Sequence, residues 1–394
     1  MIKTKRHINR LTGLLPLLTI TTLLFVQSGR AETTAMKVTP ADTSKLSFHG
    51  YGELHFHTPK GTDFPENEAP AEADLHRMVW GISYDMSDWI ILHTGIDFEQ
   101  AQEELQLEFV YLHFLINPLF NVRVGSLLVP VGPLNEFHEP PLFYSVSRPY
   151  VQRHIIPTTW QEAGIGVFGT LLPGLNYRAY ILSSLDARRF DGVSGIRNGR
   201  RGASEAESDD LALVLRSEYT PMSGVDLGLS LYNGGADASK KVGGNARVQI
   251  LEWDVRLRME GFDLQWVSVL IDIDDAAAIN AAHTDKDGNA APLIGSDSVG
   301  TQLSGTTLEA AYHLSYLTRA EWDLVPFVRF EAINTQDDVP AGFSANPAND
   351  REILTVGTAY YPHPQVVLKL DRESWEDGTG RTELRYNLGA AYMF

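Results

Sequence analysis

The feature that most constrains the fold is an alternation of apolar and polar side chains with a period of two, repeated along the chain. In one segment, for example, Leu251, Trp253 and Val255 alternate with Glu252 and Asp254. A period of two is that of a β-strand, whereas a helix needs a period near 3.6. About sixteen such segments occur, each of roughly the ten residues that a tilted strand needs to cross a bilayer. The pattern predicts an all-β fold, a transmembrane antiparallel β-barrel of about sixteen strands.

The connections between these segments alternate in length, as they do in outer-membrane barrels with short periplasmic turns and long extracellular loops. Short turns are predicted near Ser87-Asp88, Asn117-Pro118, Leu172-Pro173-Gly174, Met222-Ser223-Gly224, Glu260-Gly261 and Pro362-His363-Pro364. Long loops are predicted at Thr58 to Asp74, Asp186 to Ser208, Asn233 to Asn245, Asp272 to Gly305 and Asn334 to Asp350. We expect a closed barrel, because an open sheet edge would leave unpaired amides in hydrocarbon.

The N-terminus has the composition of a secretory signal peptide. Basic residues precede an apolar run from Leu11 to Val26, and small residues follow at Gly29 and Ala31. A membrane anchor is the weaker alternative, since Thr, Gly and Pro interrupt a run that is short for a helical span. We therefore predict a cleaved signal peptide at 1–31, a periplasmic lead-in at 32–44 and an outer-membrane barrel at 45–394.

Charge and cysteine content exclude several classes of function. The formal net charge is −18, and loss of the signal peptide removes five basic residues and no acid, which gives −23. So acidic a chain is unsuited to bind nucleic acid through its phosphates. The absence of cysteine excludes disulfides and thiolate ligands. Without a phosphate-binding motif, a nucleophile elbow or a zinc-protease motif, we predict no enzyme activity, no cofactor and no metal site.

The last segment alternates up to a terminal aromatic residue, Phe394. Such a C-terminal strand is similar to the one by which outer-membrane barrels are recognised by the barrel assembly machinery. We therefore predict this machinery as a partner.

One connection is unusually long for its composition. It follows a strand that breaks at Pro130 and Pro133, and it spans about 131–160 before a glycine-rich strand. Connections are usually two to six residues, so we predict that this third extracellular loop folds into the lumen and narrows a pore. The predicted constriction residues are Arg148, Arg153, His154, Glu136 and Glu139.

Several motifs together resemble the phosphate-selective porin O and P family. They are NVRVGSLLVPVG, AGIGVFGTL, LVPFVRFEAINTQDDVPAG and LTVGTAYYPHPQVVLKLDRE, and the similarity extends over most of the mature chain. The resemblance implies a trimeric sixteen-strand porin whose third loop enters the lumen. Phosphate selectivity in that family depends on an arginine ladder and a lysine cluster, and the loop here contains no lysine.

The predicted inner face carries both signs of charge. The lumen-lining residues that we predict are Arg123, Arg256, Arg258, Arg329, Lys369 and Asp371. Facing acids and bases create a transverse field suited to small polar solutes, whereas a ring of one sign would select by charge. A basic loop, from Arg188 to Arg201, is predicted either to attract anions or lipopolysaccharide phosphates or to pair with nearby acids.

The predicted function is passive diffusion of small hydrophilic solutes and ions, with inorganic anions such as phosphate as an option, through a water-filled outer-membrane channel. The predicted partners are outer-membrane lipid and lipopolysaccharide, two further copies in a homotrimer, and the solutes themselves. The alternative is a closed or partner-filled barrel that serves as a structural or adhesive scaffold.

Overall fold

The computed structural model describes residues 42–58, 71–99, 104–204 and 209–394. The predicted signal peptide and most of the predicted lead-in lie outside the described residues.

The described residues form a closed antiparallel barrel of sixteen strands, as the alternation predicts. Each strand pairs with its neighbours in sequence, and β1 pairs with β16. The strands are β1 Leu46–Thr58, β2 Glu72–Ser87, β3 Ile90–Glu99, β4 Glu104–Asn117, β5 Phe120–Leu128, β6 Gln161–Leu172, β7 Leu175–Ser183, β8 Leu211–Met222, β9 Val225–Gly235, β10 Arg247–Met259, β11 Phe262–Asp274, β12 Gln302–Tyr312, β13 Asp323–Asp338, β14 Asp350–His363, β15 Val366–Asp377 and β16 Thr382–Met393.

The first strand, β1, pairs with the last strand, β16, and this pairing closes the barrel. The register runs from Tyr51 opposite Met393 to Thr58 opposite Tyr386. Phe394 and Gly50 exchange two backbone hydrogen bonds, at N–O distances of 2.9 and 3.0 Å. The terminal aromatic residue is therefore part of the seam.

The predicted short turns lie at one end of the barrel and the long loops that the structure describes lie at the other. Most of the loop predicted at Thr58 to Asp74 lies outside the described residues. Strands β9, β11 and β13 continue two to four residues beyond the predicted start of their loops, to Gly235, Asp274 and Asp338. The connection from β12 to β13, at the turn end, is longer than the others there and contains a short helix. The helices are α1 Ala276–Ala282 and α2 Ser315–Thr318, with a π-helix at Val151–Ile155 and short 3₁₀ turns at Thr43–Lys45, Pro140–Leu142, Ala187–Arg189, Arg197–Gly199, Gly295–Asp297 and Pro347–Asn349.

The two faces of the sheet differ in polarity, as the alternation requires. On β10, Leu251 on the outer face is 40% exposed, whereas Glu252 on the inner face is 0% exposed. Large aromatic side chains are exposed near the turn end, among them Trp89, Phe262, Trp322 and Phe394. An apolar outer band with an aromatic girdle is the surface of a barrel in a bilayer. Among the residues described, no helix is long and apolar enough to span a membrane.

Candidate pore and its lining

The segment from 129 to 160, between β5 and β6, runs along the inner faces of distant strands; we name it the inward loop. Its predicted bounds, 131–160, begin two residues later. The backbone N–H of Val146 donates to Asp371 Oδ2 on β15 at 2.6 Å, and that of Val151 donates to Glu331 Oε1 on β13 at 3.0 Å. Carboxylates of the barrel wall thus satisfy backbone donors of an irregular segment, which would otherwise be buried without partners.

Side chains of the inward loop reach the same wall. Tyr144 Oη donates to Asp263 Oδ2 on β11 at 2.6 Å, and Tyr150 Oη donates to Glu373 Oε2 at 3.0 Å. Tyr150 also packs edge-on against Trp375, with ring centroids 4.5 Å apart. These contacts fix the loop through hydrogen bonds to charged groups, which are stronger than bonds between neutral groups.

Basic residues of the wall hold the loop from the other direction. Lys369 Nζ donates to the backbone carbonyls of Pro140 at 2.7 Å and Ser145 at 2.8 Å, and it lies 3.7 Å from the ring centre of Phe143. Arg329 donates to Ser145 Oγ at 2.5 Å. Both acidic and basic side chains of the barrel wall therefore hold the inward loop in place.

The near side of the loop contacts β1, β2 and β4. His138 Nε2 forms a short contact with Glu108 Oε1, to which Tyr51 Oη also donates at 2.5 Å. Arg77 Nε donates to Glu53 Oε1 at 2.8 Å beside them. Burial lowers the pKa of His138, but the Glu108 carboxylate outweighs it, so that the pKa of His138 is raised above its usual value. Both ring nitrogens face acceptors, Asn135 O at 2.8 Å and Glu108 Oε1, and this geometry favours the protonated imidazole.

The half of the barrel nearer the long loops contains a buried apolar core on the inner face of the sheet. It joins inward residues of β8 to β11 to the inward loop and to the β7–β8 and β11–β12 loops. Val248, Ile250 and Val269 of the wall pack in one cluster with Ile155 and Phe190. Alternation alone did not reveal this core, because the inner face changes from polar to apolar along the same strands.

The predicted constriction residues lie along the inward loop. Glu136 pairs with Arg123 at 3.2 Å and with Arg178 at 3.0 Å. Arg148 is 9% exposed, and its Nε and Nη2 have no hydrogen-bond partner in the described parts of the chain. Glu139 and Arg153 are partly buried. His154 is buried and stacks on Tyr150, with ring centroids 5.9 Å apart.

The predicted lumen-lining residues lie on the inner face and form ion pairs or hydrogen bonds. Arg329 pairs with Glu309 and Glu331, Arg256 with Asp263, and Arg258 with Asp226 near the turn end. Arg123 also donates to His113 Nε2 at 2.6 Å and lies over the ring of Tyr111. Asp371 accepts from Asn387 Nδ2 at 2.7 Å, besides Val146. Thus the inner arginines are largely neutralised by carboxylates.

The basic β7–β8 loop mainly braces the inward loop. Arg197 donates to the backbone carbonyl of Arg153 at 2.8 Å, and Arg200 donates to that of Thr158 at 2.8 Å. Arg188 pairs with Asp186 at 2.8 Å. The acids that follow this basic segment in sequence are Glu205, Glu207 and Asp209. Glu205 and Glu207 lie outside the described residues, and Asp209 pairs with Lys240 at 3.3 Å.

The glycines of GIGVFG on β6 let their strand approach neighbouring strands closely and do not face the inward loop. A Cβ at Gly166 would lie 1.9 Å from the ring of Tyr180 on the adjacent strand β7. The glycines that admit the loop are Gly305, where a Cβ would lie 2.9 Å from Val151, and Gly389, where it would lie 3.1 Å from Val146. Strand glycines mark such close approaches, but the sequence does not say which neighbour approaches.

Two cavities lie at opposite ends of the barrel; we name them the inner cavity, at the turn end, and the outer cavity, at the loop end. The inner cavity has a volume of about 700 Å³ and extends from Phe137 and Leu142 on the inward loop to Arg256, Arg258 and neighbouring acids. The outer cavity, of about 400 Å³, is lined by Asp97, Glu99, Glu108, Arg197 and Arg200, among others. Phe137 faces the inner cavity, whereas its neighbour His138 contacts Glu108 of the outer cavity. Thr159, also on the inward loop, lines the outer cavity, so the loop contributes to the lining of both cavities.

A closed sixteen-strand barrel with a charged inner face is the architecture of porins, and solved structures share it. The anion-selective porin from Comamonas acidovorans matches with a TM-score of 0.53 and 9% identity over 89% of this chain and 99% of that one. The outer membrane channel DcaP of Acinetobacter baumannii matches with a TM-score of 0.56 and 11% identity over 90% and 99%. OmpT, an outer membrane protein of Vibrio cholerae solved in a trimer form, matches with a TM-score of 0.54 and 10% identity over 89% and 99%. At such low identities, these structural matches show a common fold and nothing further.

At the sequence level the chain has a clear relative. An uncharacterized protein of Aquifex aeolicus (strain VF5) is 31% identical over 350 residues, which cover 84% of this chain and 76% of that protein. The chain belongs to the same family as that protein. No protein-family model matches the chain.

Proposed function

We propose that the protein is an outer-membrane channel for passive diffusion of small hydrophilic solutes and ions. The observation that carries the proposal is the pair of cavities at opposite ends of a closed barrel, each lined by charged side chains and in part by the inward loop. Barrels of sixteen strands are wide enough for an aqueous lumen. The apolar outer band supports a membrane location, and the porin fold supports the outer membrane.

The inward loop forms the constriction in this proposal. Arg148, Arg153, His154, Glu136 and Glu139 border the path, and their mixed charges set a transverse field rather than a ring of one sign. The anion or phosphate preference that the family resemblance implies would need cations available to the solute. Arg123, Arg256 and Arg329 are instead paired with carboxylates. We therefore propose a channel that accepts polar solutes generally, with a weak preference for cations.

Assembly and partners follow from the same proposal. OmpT of Vibrio cholerae, which shares the fold, was solved in a trimer form, and a homotrimer is proposed here. We propose contact with lipopolysaccharide because the outer band is apolar and exposed. We propose delivery by the barrel assembly machinery because the C-terminal strand ends at Phe394.

The proposal is tested with purified protein in a planar bilayer. We expect discrete conductance steps, and under a salt gradient a reversal potential of the sign for weak cation preference. Block of the current by added phosphate, together with an anion-selective reversal potential, would instead support the phosphate-selective alternative. Complete absence of current with correctly folded protein would contradict the channel.

A second candidate, a closed barrel that serves as a scaffold, is favoured by one observation. Charged side chains in the middle of the lumen are almost fully buried, among them Glu53, Arg329, Glu373 and Arg385. So dense a filling narrows any path between the cavities. The bilayer experiment separates the candidates, since a scaffold gives no steps even after the inward loop is loosened by mutation.

A further inference from the structure

The inner cavity has an apolar shelf that faces water rather than lipid. Phe137 and Leu142 line it from the inward loop and are 50% and 41% exposed, with Pro133 and Pro149 beside them. These residues lie inside the barrel, so lipid cannot cover them. Apolar surface left in water is unfavourable, and a patch of it at the wall of a cavity marks a binding surface.

A side chain in the wall of the same cavity has a buried hydrogen-bond acceptor without a partner. Gln152 lines it and is only 2% exposed, and its Oε1 has no hydrogen-bond partner in the part of the chain that the structure describes. Buried polar atoms are nearly always hydrogen-bonded, because an unmet acceptor keeps its full desolvation cost. A ligand with an N–H group would meet that need.

The charge of the cavity favours a cation. Seven carboxylates and three arginines line it, and two of these carboxylates pair with arginines outside the lining, Glu218 with Arg178 and Glu309 with Arg329. Two negative charges therefore remain in excess. Each arginine is already paired: Arg216 with Asp254 at 3.0 Å, Arg256 with Asp263 at 2.5 Å and Arg258 with Asp226 at 2.5 Å. A cleft lined mainly by one sign of charge concentrates solutes of the opposite sign.

From the shelf, the acceptor and the charge together, we infer that the inner cavity binds small organic cations that carry an ammonium group on an apolar body. The apolar body lies on the shelf of Phe137 and Leu142 within the acidic surroundings, and the ammonium donates to Gln152 Oε1 when a rotation of the Gln152 side chain brings that atom to the cavity surface. A volume of about 700 Å³ is in the usual range for a small-molecule site. This inference rests on the proposed channel for the route of the solute, and it adds the class of solute that the channel retains.

The test is equilibrium binding to the folded full-length mature protein in non-ionic detergent, measured by titration calorimetry against a micelle blank. The probe is 2-phenylethylammonium. One comparison compound, 3-phenylpropionate, has the same apolar body with a carboxylate, and the other, methylammonium, has the charge without the body. We expect the probe to bind at least about tenfold more tightly than either compound, since each lacks one of the two matched features.

Two variants and one matched control locate the site. Gln152→Met keeps the size of the side chain and removes the acceptor, and we expect affinity for the probe to fall about fivefold or more. Phe137→Ala removes half-exposed apolar surface and leaves no packed core empty, and we expect a fall of at least about threefold. Gln249→Met, at an exposed position on β10, should leave affinity unchanged.

Equal or tighter binding of 3-phenylpropionate would overturn the inference, as would unchanged affinity in the folded variants. Phe137→Ala carries the test alone if Gln152→Met does not fold, as judged by heat-modifiable gel mobility. The bilayer assay separates this inference from the channel. Current without probe binding overturns the site and leaves the channel, whereas binding without current overturns the channel and leaves the site.

Discussion

The backbone N–H of Val146 donates to Asp371 Oδ2 at 2.6 Å, and this bond ties the inward loop to a strand 225 residues further along the chain. Asp371 also accepts from Asn387, so its carboxylate is held in place by the neighbouring strand β16. The loop is thus fixed to a prearranged acceptor of the barrel wall.

Replacing Asp371 by alanine should loosen the loop. The N–H of Val146 loses a charged acceptor in a buried place, which costs about 1–3 kcal/mol. We expect larger or more variable single-channel conductance in a planar bilayer. Asp287→Ala, in an exposed loop, should behave like the unmodified protein. If both variants conduct alike, the loop does not control the constriction.

Removing the positive charge of the inward loop should change ion preference. With Arg148 and Arg153 both replaced by alanine, we expect the reversal potential under a salt gradient to move towards stronger cation preference, because two cations are lost beside the path. Arg372→Ala, at an exposed position of β15, is the matched control. Unchanged conductance and reversal potential in the double variant would exclude these arginines from the constriction.

Two arginines of the inner face should differ strongly in their effect on stability. Arg329 is fully buried between Glu309 and Glu331. Its replacement by methionine leaves these two carboxylates without their arginine partner, which lowers the free energy of unfolding by about 3–5 kcal/mol. The side chain of Arg258 is 52% exposed in its pair with Asp226, so Arg258→Met should cost less than about 1 kcal/mol. Guanidinium unfolding followed by tryptophan fluorescence measures both. Similar costs would contradict the burial of the Arg329 cluster.

The ion pair of His138 should make stability fall at high pH. Its pKa is raised in the folded protein by Glu108, so its contribution is complete below the usual histidine value of about 6.5 and is lost as the pH rises through the raised pKa. The other titratable or charged groups that act on this site are Tyr51, Arg77, Asp97 and Glu139. We expect the temperature that converts the folded gel band to decrease as the pH rises above the usual histidine value of about 6.5.

His138→Gln is the control for that dependence, because the amide still donates to Glu108 but does not titrate. Its conversion temperature should be lower than that of the unmodified protein at pH 6 and should change less with pH. An equally steep dependence in His138→Gln would assign the effect to another group.

The sequence by itself determined the barrel. Side-chain alternation is a local property of a strand, so Leu251 and Glu252 already define an outer and an inner face. Turn residues such as Pro173 and Gly174 limited the strands to within a few residues, and Pro130 and Pro133 placed the start of the inward loop. These features depend on residues close together in the chain, and they can therefore be recognised without the fold.

Only the tertiary structure decided what faces what inside the barrel. The bond from Val146 to Asp371, the clamp of Lys369 on Pro140 and the unmet acceptor of Gln152 all depend on which residues meet after the barrel closes. A strand pattern gives the face of a side chain but not its partner across the lumen. The sequence therefore predicted the wall, whereas the contacts of the inward loop, the charge pairs, the apolar core at the loop end and the two cavities arise from contacts between distant segments.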